Sequence, residues 1–260
     1  MSIEVVDLAV HFGGVIALQG VSLSVDRGEV LAVIGPNGSG KSTLFNAITG
    51  FVEVTEGRVS VDERDMASIP AHKRIASGIS RTFQTPRINP ADTVEDAVLC
   101  GFHPRAKGGL WSGLLRPAAM RRSEDRLQGD CRRLLENLNL SGVAHQSLNE
   151  LPMGLVRMVD IARAMAASPN YLLLDEPAAG LSQLEQNVFA EQVRRLAMEG
   201  VGILLVEHNF RLVKSLADRV VVLDRGKVLL RGTAEEVSRQ PEFVSAYLGT
   251  GHGLTLKDNS

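Results

Sequence analysis

The sequence predicts an α/β fold built on a parallel sheet, and three observations carry that reading. Strand-length apolar runs alternate with helix-length stretches through the second half of the chain, a glycine-rich loop separates an early buried strand from a helix, and a long helical stretch interrupts the alternation. A length of 260 residues allows one large domain or two small ones. One domain carrying an insertion is expected.

Ile3 to Val10 and Val15 to Val25 are β-branched and partly alternating, which predicts two strands with Gly13-Gly14 as the turn. Glu29 to Ile34 is a short apolar run ending in a Gly-Pro-Asn-Gly cluster, as a strand buried on both faces would be. A helix should start at Lys41, with Leu44, Phe45 and Ile48 at core spacing and Gly50 as its stop. Gly57 to Asp62 and Ile79 to Phe83 read as further strands. From Thr93 to about Leu140 the pattern becomes helical: Thr93 and Asp96 resemble a capping pair, and Leu127, Leu134, Leu135 and Leu138 recur at helical spacing. This stretch is the insertion. After it come a helix, a strand (Tyr171 to Leu174), a helix (Gln183 to Met198), a strand (Val201 to Val206), a helix (Phe210 to Ala217) and a strand (Arg219 to Leu223). A short strand at Lys227 to Leu230 and two short helices, the second around Pro241 to Leu248, close the chain ahead of a frayed end.

Composition narrows the function classes. Hydrophobic content of 44% with 22% charged residues is ordinary globular composition. The 30 acidic and 28 basic residues leave no global basic field, so nucleic acid is not the expected partner. The opening MSIEVVDLAV lacks a basic n-region followed by an apolar h-region. No apolar run approaches the roughly 20 residues of a membrane-spanning helix, so a soluble chain is expected. Cys100 and Cys131 are far apart with no CxxC pair, the pattern of two reduced thiols in a cytosolic protein.

Gly35-Pro36-Asn37-Gly38-Ser39-Gly40-Lys41-Ser42, followed by Thr43, satisfies GxxxxGK[ST] between an expected strand and an expected helix. Glycines let the backbone curl so that successive N–H groups and the helix N-terminus point at one spot and bind phosphate. Lys41 supplies charge to the β- and γ-phosphates of ATP, and the Ser42 hydroxyl suits Mg²⁺. Tyr171-Leu172-Leu173-Leu174-Asp175-Glu176 is an apolar strand that delivers two carboxylates beside the phosphates. Asp175 would hold the metal through water and Glu176 would polarise the attacking water as general base; the structural alternative is that Asp175 merely starts a turn before Pro177.

At this point the chain resembles an ATP-binding cassette (ABC) ATPase, because further elements fall in that family's order. Gln84, in Arg81-Thr82-Phe83-Gln84, is similar to the Q-loop glutamine, which touches Mg²⁺ and the attacking water. Leu151-Pro152-Met153-Gly154-Leu155 sits where the LSGGQ signature belongs, with Pro152 in place of its serine and Leu155 in place of its glutamine. Ala179-Gly180-Leu181-Ser182 takes the D-loop position, and His208 matches the switch histidine of the H-loop. Phe12 falls where an aromatic A-loop residue stacks on adenine; a core phenylalanine is the rival reading.

The resemblance implies a P-loop NTPase (RecA-like) core with an antiparallel β subdomain and an inserted α-helical subdomain. It implies one domain over 1–250, with 1–88 and 156–250 as catalytic core and β subdomain, 89–155 as helical subdomain, and 251–260 as a flexible tail. In such dimers the signature, here Pro152, Met153 and Gly154, contacts the partner's nucleotide. The expected cofactors are ATP and Mg²⁺. The expected partners are a second ABC ATPase subunit in a homo- or heterodimer, membrane permease subunits and, indirectly, a periplasmic solute-binding protein. The location implied is peripheral, on the cytoplasmic face of the inner membrane.

Phe12-Gly13-Gly14, Asn46-Ala47-Ile48-Thr49-Gly50-Phe51, Arg81-Thr82-Phe83-Gln84, Asp175-Glu176-Pro177-Ala178-Ala179-Gly180-Leu181 and Ala246-Tyr247-Leu248-Gly249 together resemble the ATPase subunits of branched-chain amino acid importers, whose relatives serve urea, amides or aromatic acids. Trp111, Leu114, Arg116, Arg121 and Arg122 in the insertion either face a permease or headgroups or form a helical hairpin with a solvated arginine face. Two other readings remain open here: a soluble, non-transport cassette protein such as an iron-sulfur assembly ATPase, and an unrelated phosphate-loop kinase, which would not need Gln84, the signature region and His208 in this order.

Overall fold

The structure is a computed structural model and describes residues 1–86, 88–102 and 117–248. Strand β1 (Ser2–Phe12) forms a hairpin with β2 (Val15–Asp26), and β4 (Glu56–Val61) and the two-residue β5 (Arg64–Asp65) extend it into an antiparallel sheet of order β2-β1-β4-β5. The second sheet contains β3 (Val30–Ile34), β6 (Ile79–Arg81), β7 (Tyr171–Asp175), β8 (Gly202–Val206), β9 (Arg219–Asp224) and β10 (Lys227–Gly232), in the order β10-β9-β3-β8-β7-β6. Its neighbours run parallel, except for the antiparallel edge pair β10 and β9.

Strands β3, β7 and β8 are buried at every position, which is why their sequences are continuously apolar instead of alternating. Alternate side chains of each still enter different cores. Leu31, Val33, Leu173 and Leu204 join Leu44, Phe45 and Ile48 of α1 (Lys41–Thr49) and the inner face of the antiparallel sheet, so α1 is packed between the two sheets. Leu172, Leu174, Ile203 and Leu205 point the other way, into a core shared with α3 (Val94–Gly101), α4 (Pro117–Asn137), α5 (Met153–Met165) and α6 (Gln183–Met198). A third, smaller core joins Ala32, Ile34, Val220 and Val222 to α7 (Phe210–Leu216), α8 (Ala234–Ser238) and α9 (Pro241–Leu248).

Several expected boundaries shift. Strand β6 stops at Arg81, two residues before Phe83, although the Thr82 N–H still donates to the Leu173 carbonyl of β7 at 3.0 Å. Strand β5 and the single turn α2 (Ala71–Arg74) were too short to leave a periodic signal. The helical stretch from Thr93 is several elements, since α3 ends at Gly101 and a further helix begins at Pro117. Thr93 does cap α3, accepting the Asp96 N–H. Trp111, Leu114 and Arg116 lie outside the described residues, as do the side chains of Arg121 and Arg122 and the tail beyond residue 248. No helix among the described residues is long and apolar enough to cross a membrane.

The short α2 has a clear structural task. Its Arg74 is buried and spreads its guanidinium over four carbonyls: Ala47 (2.9 Å) and Ile48 at the end of α1, Met66 (2.8 Å) and Ile69 (2.9 Å). A cation there satisfies the last carbonyls of α1 and opposes its dipole. Replacing Arg74 with methionine removes a donor from all four carbonyls, of which Ala47 and Met66 keep a backbone N–H, and urea denaturation should show a loss of about 2–3 kcal/mol; an unchanged midpoint would contradict this account of the helix end.

Candidate active site

The parallel register places the site. Val206 of β8 stands level with Val33 of β3 on one side and with Asp175 of β7 on the other. The loops after these three strands therefore leave the same carboxyl edge of the sheet, where open α/β sheets bind ligands.

The first loop, 35–40, leads into α1. Gly40 has φ +104°, and a Cβ there would strike Leu18 and the Ala17 carbonyl of β2, so only glycine lets the chain turn into the helix while packed on that strand. No side chain caps the start of α1, which leaves the helix N-terminus to its own loop and to an anion. Lys41 is buried and its Nζ donates to the carbonyls of Gly35 (2.8 Å) and Pro36 (2.9 Å). Burial lowers its pKa, and the nearby carboxylates of Glu176 and Asp175 oppose that shift. The Ser39 hydroxyl is buried without a hydrogen-bond partner, while Asn37, Gly38 and Ser42 are exposed and Pro36 and Thr43 half-buried. An open cavity of about 770 Å³ runs along Asn37, Gly38 and Ser39 toward Asp224 and Glu242.

Asp175 ends β7 and pairs with Arg81 at 2.8 Å, both side chains about nine-tenths buried. Arg81 also donates to Asn46 Oδ1 (2.7 Å) and Thr49 Oγ1 (3.1 Å) of α1 and lies over the rings of Phe45 and Phe83, 5.5 and 5.0 Å from their centroids. Glu176 has φ +45°, an uncommon conformation for a non-glycine residue. Its N–H is held by the Val206 carbonyl at 2.9 Å. The Gln84 amide donates to Glu176 Oε2 at 2.7 Å, so two residues separated by the whole insertion meet. His208 follows β8 with its side chain 61% exposed, and Nδ1 is 3.8 Å from Glu207 Oε2.

Phe12 and the signature-like segment complete the set of expected residues. Phe12 is 51% exposed at the end of β1, which removes the core reading. Its hairpin's second strand passes Gly40 at Ala17 and Leu18. The segment Pro152, Met153 and Gly154 opens α5 without a side-chain cap, and the Gly154 N–H is already taken by Glu185 Oε1 of α6 at 3.2 Å. Sequence reasoning assigned no role to Arg81, Arg157 or Glu207, whose importance lies in buried partners distant along the chain. Their only sequence signal is a charge inside or beside an apolar run.

Family comparison agrees with this geometry: residues 18–179 match the family described as ABC transporter. The chain belongs to the ABC transporter family. It is 38% identical over 248 residues to the high-affinity branched-chain amino acid transport ATP-binding protein BraF of Pseudomonas aeruginosa, covering 95% of this chain and 97% of that protein. It is 36% identical over 243 residues to the corresponding LivG protein of Escherichia coli, covering 93% and 95% of the two chains. Among solved structures it is similar to the ADP conformation of an ATP-binding cassette of an ABC transporter, with TM-score 0.84, 32% identity, and coverage of 96% of this chain and 99% of that one. A nucleotide-free cassette from an ABC transporter gives a TM-score of 0.83 at 32% identity, over 95% and 99% of the two chains. The two sheets and helical cluster are thus the ABC ATPase fold, and the family is one of nucleotide-binding proteins with membrane partners.

The Arg81 pair gives a stability prediction. Arg81→Met leaves Asp175 as a buried, unpaired carboxylate, and urea denaturation should show a loss of about 3 kcal/mol or more. Adding Asp175→Asn should restore part of that loss. A double variant no more stable than the single one would refute the pairing argument.

Proposed function

We propose that the chain is the ATP-binding and ATP-hydrolysing subunit of an importer that takes up branched-chain amino acids or a related small solute. The observation that carries the hydrolytic reading is the meeting of Gln84, Glu176 and Lys41 at one edge of the sheet: the Gln84 bond fixes one oxygen of the Glu176 carboxylate, and the field of Glu176 reaches the Lys41 ammonium. The choice of solute rests on relatives named for branched-chain amino acid transport along nearly the whole chain. The same names favour transport over a soluble assembly ATPase.

In this reading the amides of 35–43 and the Lys41 ammonium bind the β- and γ-phosphates, and Phe12 offers its exposed ring to adenine. Glu176 takes up the proton of the attacking water, and His208 donates toward the terminal phosphate. Ser42, Asp175 and Gln84 form a set of hard oxygen donors that fits Mg²⁺, and the Arg81 pair holds the Asp175 carboxylate at the strand end. Mg²⁺, when bound, would neutralise charge on the β- and γ-phosphates. Pro152, Met153 and Gly154 would approach the nucleotide of a second cassette. With no serine hydroxyl at 152, and with the Gly154 amide held by Glu185, this contact relies on remaining backbone donors and the helix dipole.

We assign 1–88 and 156–250 to the catalytic core and β subdomain, 89–155 to the helical subdomain and 251–260 to a tail. The partners are a second cassette in a homo- or heterodimer, permease subunits and, through them, a solute-binding protein outside the membrane. The subunit sits peripherally on the cytoplasmic face. Closure of two cassettes on two ATP molecules moves the permease, and hydrolysis resets it.

Lys41→Ala should abolish retention of labelled ATP in a filter assay, whereas Glu176→Gln should keep ATP bound and slow phosphate release by about a hundredfold or more. Near-normal turnover in Glu176→Gln would overturn the base assignment. In cells carrying the intact transporter, Glu176→Gln should also stop uptake of labelled leucine, isoleucine and valine; unaffected uptake of all three would exclude this solute class.

A further inference from the structure

Glu207, next to His208, is 0% exposed. A carboxylate buried this completely needs strong partners, and here they are backbone amides of two different loops. Oε1 accepts the Ala178 N–H at 3.0 Å, and Oε2 accepts the N–H groups of His208 (3.0 Å) and Asn209 (3.2 Å). Ala178 lies two residues beyond Glu176, so one side chain grips the backbone beside both candidate catalytic groups. A second strap joins the same two loops: the Asn209 side-chain Nδ2 donates to Gln186 Oε1 (2.8 Å), and Gln186 Nε2 donates to the Leu181 carbonyl (2.9 Å).

A buried cation stands behind this clamp. Arg157 of α5 is 8% exposed. Burial lowers its pKa, and the nearby carboxylates of Asp160 and Glu207 oppose that shift. Its Nη1 reaches the carbonyl of Phe83 at 3.4 Å, directly before Gln84. The segments bearing Gln84, Glu176 and His208 therefore converge on a single interior group of charges, reached from the helix that begins at the signature-like segment.

We propose that Glu207 is a positioning residue for hydrolysis, its carboxylate setting the separation of Glu176 and His208 by holding the Ala178, His208 and Asn209 amides together. The inference rests on the assignment of those two residues as catalytic groups. A group of this length with an acceptor oxygen at both positions is required, because the three N–H groups bonded to it are all donors. A glutamine fills the same space but turns an NH₂ toward at least one N–H in either orientation.

The test is a double-mutant cycle in steady-state ATP hydrolysis, with thermal unfolding measured on each variant. Glu207→Gln should lower kcat by about tenfold or more, as small misplacements of catalytic groups do, with KM for ATP unchanged within about twofold. In a His208→Ala background the same change should lower kcat by less than about twofold, because the separation that the carboxylate sets between Glu176 and His208 no longer matters once the imidazole is gone. Wild-type kcat in Glu207→Gln, or a full tenfold loss persisting without His208, overturns the proposal, as does a rise in KM matching the fall in kcat. If Glu207→Gln does not fold, the same cycle with Glu207→Asp, which keeps the charge but is one methylene shorter, decides it. Glu176→Gln run alongside separates the two levels. Normal turnover in that variant removes the catalytic assignment beneath, whereas its expected loss beside a silent Glu207→Gln removes only the role of Glu207.

Discussion

Strands buried on both faces deliver charged groups to one edge of a sheet, and a charge buried there is costly unless a partner stands within reach. The arrangement of this protein follows from meeting that requirement at each strand end. Asp175 at the end of β7 is answered by Arg81 at the end of β6, and Glu207 after β8 by three amides. Lys41 after β3 is answered by the carbonyls of its own loop, with two carboxylates nearby. Because Arg81 and the Ala178 amide come from other segments than the charges they answer, satisfying those two charges also fixes the loops relative to one another.

That fixing joins packing to chemistry. Arg81 ties the Asp175 strand to α1 through Asn46 and Thr49, and α1 is itself wedged between the sheets. The phosphate loop and the carboxylates therefore share one rigid frame. Gln84 is attached more lightly, by an exposed bond to Glu176, while the start of α5 is joined to its surroundings by the Gly154 bond to Glu185 and the Arg157 bond to the Phe83 carbonyl.

Much of this was legible along the chain. Continuous apolar runs identified β3, β7 and β8, the glycine spacing marked the loop ahead of α1 as a candidate phosphate site, and Thr93 marked the start of α3. The parts that escaped are of two kinds. Strand β5 and helix α2 are shorter than any period that could announce them. Arg74, Arg81, Arg157 and Glu207 read as ordinary charges, since what makes each important is burial against groups that are remote in sequence or on the backbone.

The sequence by itself determined the fold class and singled out the loop 35–42, Gln84, Asp175, Glu176 and His208 as candidate site residues, because local spacing and strand-helix alternation are properties of neighbouring residues. Tertiary structure decided which charges answer one another, that Phe12 is exposed, and that the Gly154 amide is occupied by Glu185. Those are contacts between segments far apart in the chain, and no local pattern encodes the distance at which two such segments come to rest.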